Sequence, residues 1–194
     1  MINKVIFILL CLCAVRANAQ KEVQTFEGGL NLGMCVPVMS YHHGTSEVGF
    51  CFGVSGRYNF PYSEWSVGLD IQLNPMRRNF DVKHDGHSFT ADNNNRATYF
   101  LVTADYNFSQ GKKVNPYVGV GMGFSVNDPL DCYYDSHGST DFCFSPRVGV
   151  ELLYHIRVAA GMIFTRKPYS GFFATVGFVI GGRPSKTPNP YLHN

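Results

Sequence analysis

The sequence predicts an all-β protein: an antiparallel transmembrane β-barrel of eight strands, following a cleaved signal peptide. Three observations carry that expectation. Eight segments alternate between apolar and other residues over about the 9 to 11 positions a tilted strand needs to cross a bilayer. The second face of those segments is built from glycine and small residues instead of the Lys, Glu and Thr that a watered sheet would show. The one long apolar run lies at the N-terminus and is too short to span as a helix.

The chain of 194 residues allows one domain of ordinary size. Its net charge of +2, with Lys and Arg scattered, lacks the basic stripe that nucleic-acid binding requires, and that class is set aside. Charged residues make up only 15% and glycines number 20, which is low polarity for a fully hydrated surface.

Lys4, the apolar run Val5 to Val15 and the small-x-small triplet Ala17-Asn18-Ala19 before Gln20 read as a secretory signal. The competing reading is an uncleaved anchor helix, which the run does not have the ~20 residues to form. Residues 1–19 are therefore expected to be a signal peptide, 20–182 the barrel and 183–194 a C-terminal tail. Cys11 and Cys13 would leave with the signal, and Ile8-Leu9-Leu10 is not the small-residue context of a lipidation site.

The strand segments run from Gly29 to Val38, Val48 to Phe60, Trp65 to Leu73, Thr98 to Phe108, Val114 to Val126, Phe142 to Tyr154, Arg157 to Thr165 and Phe172 to Gly181. Residues Asn74 to Asn95 remain open between a long loop, strands prolonged beyond the membrane and an extra hairpin. Pro61 to Ser63, Ser109 to Lys113 and the neighbourhood of His155 are tight connections. Ser40 to Glu47, Asn74 to Asn95 and Asn127 to Asp141 are longer, and Arg166 to Gly171 is short where a long one would fit. Short turns on one side and long loops on the other match an outer-membrane barrel, with the long loops outside.

Both soluble sheets and membrane barrels alternate, so the decision rests on the less apolar face. Val118, Val120, Met122, Phe124 and Val126 oppose Gly119, Gly121, Gly123, Ser125 and Asn127; Val48, Phe50, Phe52 and Val54 oppose Gly49, Cys51, Gly53 and Ser55. Glycine facing water weakens a strand without adding solubility. Lining a narrow eight-stranded lumen, it makes room for larger side chains. The glycine face therefore points inward, with Gly56 an exception, and the apolar face meets lipid. Tyr58, Phe60, Tyr62, Trp65, Tyr106, Phe108 and Tyr154 cluster at the short-turn rim like an interfacial girdle.

The stretches Asn115-Pro116-Tyr117-Val118-Gly119-Val120-Gly121-Met122-Gly123-Phe124 and Phe144-Ser145-Pro146-Arg147-Val148-Gly149-Val150-Glu151 resemble small outer-membrane barrels of the OmpA/OmpX type, especially the PorT-like proteins of Bacteroidetes. The resemblance implies a bacterial outer-membrane location, insertion by the barrel assembly machinery and no shared catalytic residues. Such barrels commonly end on an aromatic residue. Here a Pro-containing tail follows Gly182, which would move the insertion signal to around Thr175 to Ile180.

The same parity places Arg57, Asp70, Asp105, Arg147, Glu151 and Arg157 in the lumen, where unpaired ions are costly. A turn near His155 sets Glu151 diagonal to Arg157, and one centred on Gly111 sets Asp105 opposite Tyr117. A salt-bridged plug is expected, with a selective pore as the alternative. No cofactor is expected. His137-Gly138-Ser139, with Asp135 and Asp141 nearby, has the His-x-Ser spacing of one class of lipid A-modifying barrel, but these are also ordinary turn residues. His42, His43, His84, His87 and His137, with Asp85, Asp128, Asp131, Asp135 and Asp141, fall in outside loops, where they would bind a transition metal or simply be solvated.

Four mature cysteines remain, Cys35, Cys51, Cys132 and Cys143. A hairpin symmetric about His43 would face Cys35 to Cys51, Gly33 to Gly53 and Asn31 to Ser55. Cys132 and Cys143 flank the His137-Gly138 turn with a one-residue mismatch. Two disulfides and four thiols are both open, since export permits oxidation. The functional expectation is a monomer acting structurally or through its loops on a surface partner, in contact with outer-membrane lipid and lipopolysaccharide. An envelope-lipid enzyme and a soluble secreted barrel binding an apolar ligand are the rivals.

Overall fold

The computed structural model describes residues 23–38, 44–46, 48–61, 63–84, 87–128, 138–166 and 169–181, with side chains described except over 44–46 and 76–95. Its strands are β1 (Phe26–Pro37), β2 (Gly44–Ser46), β3 (Gly49–Asn59), β4 (Trp65–His84), β5 (His87–Asn107), β6 (Val114–Asn127), β7 (Ser139–Leu152), β8 (Ile156–Ile163) and β9 (Gly171–Ile180). Eight of these form one antiparallel sheet in the order β4-β3-β1-β9-β8-β7-β6-β5, and pairing of β4 with β5 closes it into a barrel. Closure satisfies every strand edge in the wall, which is what hydrocarbon demands of a sheet.

The period-two pattern is visible in the wall itself. Along β9 buried and exposed residues alternate without a break, and β6 differs only in two half-buried glycines. The exposed set is apolar: Phe50 is 76% accessible, Leu69 65% and Val102 62%. In water each such side chain left exposed instead of buried would cost about 1.5–3 kcal/mol. A belt of ten exceeds the about 5–15 kcal/mol by which a domain is stable, so this surface is built for lipid.

The start of the first strand, Phe26 in β1, and the end of the last, Ile180 in β9, lie at the rim with the short turns. Phe26, Tyr58 and Phe60 meet edge to face there with ring centroids 5.3 Å apart, and Trp65, Tyr106 and Phe108 form a second run at 5.3 and 5.2 Å. Tyr62 of the expected girdle lies outside the described residues. At the same rim, Leu153 (φ 53°) and Tyr154 (φ 67°) form the two central positions of a turn closed by His155 N–H donating to Leu152 O at 3.1 Å. Two positive φ values in succession are the type I′ geometry that Asn-Gly adopts readily, whereas an ordinary residue there costs about 1–2 kcal/mol. Leu153→Asn combined with Tyr154→Gly is expected to raise the urea midpoint of the folded barrel in lipid vesicles; an unchanged or lower midpoint would contradict the turn.

At the opposite rim the segment left open between Asn74 and Asn95 is resolved as prolonged strands. β4 and β5 stay in one unbroken register from Trp65↔Tyr106 to His84↔His87, whereas β3 leaves β4 at Leu73 and β6 leaves β5 at Ala97. The result is a two-stranded ribbon standing beyond the barrel, with β2 added along part of β4. Its alternation is reversed. Below Pro75↔Arg96 the outer face of β4 is Val67, Leu69, Ile71 and Leu73; above it the sequence positions of the same parity are Arg77, Asn79, Asp81 and Lys83. From Trp65 to Pro75 a strand tilted near 40–45° rises about 25 Å, the height of an outer-membrane apolar band, so the reversal marks where the chain leaves the lipid.

Candidate functional site

The lumen contains two layers of different chemistry. Toward the short-turn rim lie the charges. Arg57 Nη2 sits 2.7 Å from Glu27 Oε2, its directly opposed neighbour on β1, and 3.4 Å from Glu151 Oε2 across the barrel on β7. Arg147 forks onto Asp105 with two bonds of 2.8 Å, from Nε and Nη2, and its Nη1 also contacts Asp70. Arg157 Nη2 donates to the same Asp105 oxygen at 2.6 Å while its guanidinium lies 3.8 Å over the Tyr117 ring. The six charged residues placed in the lumen from the sequence, with Tyr117, meet in this layer, joined by Glu27, which was missed because β1 begins three residues earlier than the alternation suggested.

Their partners differ from the expected ones. Asp105 is opposite Gly119, not Tyr117, and Tyr117 is opposite Asn107. Glu151 is directly opposite Arg157, not diagonal to it, yet the two are not paired: Arg157 reaches Asp105 and Glu151 reaches Arg57. In a barrel this narrow, cross-lumen distances are as short as cross-strand ones, so long side chains choose partners across the interior.

Glycines make the network fit. A Cβ at Gly149 would fall 2.5 Å from the Tyr117 ring and hydroxyl, one at Gly161 2.6 Å from the Phe173 ring, and one at Gly119 on the Asp105 carboxylate. Gly56 faces outward into open space as anticipated, opposite Gly28, which does the same. What space remains is a cavity of about 40 Å³ lined by Asn31, Asp70, Tyr117, Arg147 and Arg157 among others. That is room for about one or two waters.

Toward the ribbon rim the lumen holds an apolar cluster beside buried Asn74, Ser125 and Asn127. Cys35, Cys51, Cys143, Tyr99, Leu101, Ile163, Tyr169 and Phe173 pack into one buried cluster. Tyr169 explains the short Arg166 to Gly171 connection: it folds in over the mouth, its hydroxyl donating to Asp128 O at 2.7 Å, and its carbonyl accepts from Tyr99 Oη at 2.7 Å.

The thiols in that cluster correct the disulfide expectation. The first hairpin is symmetric one residue earlier than His43, so Cys35 lies opposite Gly49, Gly33 opposite Cys51 and Asn31 opposite Gly53. Cys35 and Cys51 share a face as diagonal neighbours, about 7–8 Å apart at Cα, beyond the about 4.4–6.8 Å a disulfide spans. Both are free and buried, as is Cys143, whose suggested partner Cys132 lies outside the described residues. Unfolding in excess alkylating agent without reductant is expected to label Cys35 and Cys51 fully; a crosslinked peptide containing both would overturn the register.

The other sequence candidates are only partly placed. Ser139 Oγ donates to Asp141 Oδ2 at 2.7 Å, and Asn127 Nδ2 donates to both, so the hydroxyl is held by the carboxylate directly. His137 and Asp135 of that constellation lie outside the described residues, as do His42, His43, Asp85 and Asp131. His84 and His87 pair at the ribbon tip, and among the described residues no three His, Cys, Asp or Glu side chains gather to hold a metal.

A closed eight-stranded wall, an apolar belt with an aromatic rim and a charged, filled lumen are now in place, and the family model of the outer membrane protein β-barrel domain matches residues 6–167. The chain belongs to that family. Its location is accordingly the bacterial outer membrane. Among solved structures, Neisserial surface protein A superposes with a TM-score of 0.56 at 14% identity, over 82% of this chain and 98% of that one. The outer membrane protein OprG from Pseudomonas aeruginosa gives a TM-score of 0.52 at 11% identity, over 84% of this chain and 100% of that one. At such identities the likeness is one of fold. No curated protein matches the sequence.

Proposed function

We propose that this barrel is a closed-lumen surface-interaction protein, anchored by its wall and acting through its extracellular ribbon and loops. The observation that carries the reading is the ribbon itself: β4 and β5 run together from Pro75↔Arg96 to His84↔His87, well past the strands on either side. A barrel whose only task was to brace the membrane gains nothing from ordering this much chain in water, since each ordered residue costs about 1–2 kcal/mol of backbone entropy. The reading includes export by a signal peptide cut near Ala19, insertion by the barrel assembly machinery, and a monomer seated among outer-membrane lipid and lipopolysaccharide. The resemblance of its glycine-rich sixth strand to PorT-like barrels of Bacteroidetes supports that setting.

The test replaces residues 76–95 with an Asn-Gly turn. The shortened protein is expected to keep the heat-modifiable gel mobility of a folded barrel while cells bearing it lose adherence to protein-coated surfaces relative to cells bearing the full chain. Equal adherence would overturn the reading. Purified protein in planar bilayers is expected to give no steady ion conductance, because Arg57, Arg147 and Arg157 with their carboxylates occupy the lumen. Sustained channels would overturn the closed lumen.

A further inference from the structure

The lumen charges fall into two groups. Toward the middle of the barrel, Arg147 and Arg157 answer Asp70 and Asp105, two guanidiniums for two carboxylates. Toward the short-turn rim, Arg57 stands between Glu27 and Glu151. Counted as ions, this second group is one positive charge short.

Bulk water does not make up the difference, since Glu27, Arg57 and Glu151 are 8%, 5% and 6% exposed. Both carboxylates lean on one nitrogen, Arg57 Nη2, at 2.7 and 3.4 Å, and of the two contacts it is the one to Glu151 that has hydrogen-bond geometry. Glu27 Oε2 is a buried acceptor to which no donor among the described residues bonds. A buried charge without a counter-charge and a buried acceptor without a donor are each costly. A single proton relieves both, because it cancels the charge and brings an O–H.

The groups packed around the pair are otherwise engaged. On β8, Arg157 is directly opposite Glu151, but its Nη2 donates to Asp105 at 2.6 Å. On β6 the residue opposite Glu151 is Asn115, whose amide donates to Asn107 Oδ1 and accepts from Ser109 N–H. β4 places Gly68 beside Arg57, and β9 places Gly177 beside Arg157, neither of which carries charge. His155, at the turn after β7, is half-buried, donates from Nδ1 to Val179 O at 2.9 Å and stands near enough to act on Glu151. It is the rival source of a positive charge.

We infer that the folded lumen holds one proton between Glu27 and Glu151, so that the short-turn end of the barrel is a proton-binding site. Two carboxylates that share one site do not both ionise, and Arg57 neutralises one of them. The proton belongs to the pair and not to either residue alone. In the unfolded chain both side chains are hydrated and separate, and glutamates in water release their protons well below neutral pH. Folding therefore takes up one proton, and raising the pH opposes folding. The inference does not rest on the surface-interaction reading.

The experiment uses the full mature chain folded in lipid vesicles in heavy water at neutral pH, with infrared spectroscopy reading the carbonyl stretch of protonated carboxylic acid. The folded protein is expected to show one such acid per chain. Glutamate labelled with heavy carbon at its side-chain carboxyl is expected to shift the band, which assigns it to glutamate without any substitution. Glu27→Gln and Glu151→Gln are each expected to remove it, because the remaining carboxylate then has Arg57 to itself, and His155→Gln is expected to leave it in place. Across the neutral range the folding equilibrium of the wild-type chain, read by heat-modifiable mobility over a urea series, is expected to fall about tenfold more per pH unit than that of either glutamine variant. No band in the folded chain, a band that ignores the glutamate label, its survival in either glutamine variant, or loss of the extra pH slope in His155→Gln would each overturn the inference. So would a missing band with a urea midpoint that rises when sodium replaces choline at equal ionic strength, which would assign the positive charge to a metal cation.

Discussion

Asp105→Ala is expected to destabilise the folded barrel by about 3–5 kcal/mol, read as a lowered urea midpoint for the mobility change in lipid vesicles. The magnitude follows from position. Asp105 is 1% exposed and accepts from both Arg147 and Arg157, so its removal strands two guanidiniums in the centre of the lumen. Arg147 retains Asp70, but Arg157, among the described residues, is left with the face of Tyr117. Asp105→Asn keeps the shape and loses the charge, and is expected to fall between the two. Replacing Asp105, Arg147 and Arg157 together by apolar residues of similar volume is expected to cost less than the single alanine, because a buried ion pair contributes little net stability while half of one is costly. A fully stable Asp105→Ala barrel would mean that water reaches the network.

Gly149→Leu is expected to cost about 1–3 kcal/mol or to prevent folding, since its Cβ alone would enter the space of the Tyr117 ring. A companion variant separates packing from backbone effects. Tyr117→Ala empties the space that Gly149 serves, so the double variant is expected to recover part of the loss, with a coupling of about 0.5–3 kcal/mol in a double-mutant cycle. Additive costs would show that the conflict lies with the Val158 carbonyl, the other group a Cβ at that position would meet.

These two sites also divide what the sequence carries from what it does not. That Asp105, Tyr117 and Gly149 face the lumen was legible, because alternation assigns every strand residue to a side and the glycine face has no use in water. Glu27 was legible too, two residues before the first assigned strand and of the right parity; it needed only the strand to be extended. That Gly149 is the hole for Tyr117, and that Arg147 forks onto Asp105, depends on pairing register and on which strands stand across the barrel.

The register differences share one form. The first hairpin, the β5–β6 hairpin and the β7–β8 hairpin each pair two residues away from the expected match, which moves Cys51 from Cys35 to Gly33, Asp105 from Tyr117 to Gly119, and Glu151 onto Arg157. An even shift leaves every side chain on its own face, so period-two alternation is blind to it, whereas a shift of one would have put Asp105 in lipid. By itself, then, the sequence determined the strands, their faces, the closed wall and the membrane that the apolar belt requires. The tertiary structure decided who touches whom: the turn geometry that selects one even register, the cross-lumen partners of the arginines, and the choice of prolonged strands between Asn74 and Asn95, because these depend on distances between segments far apart in the chain.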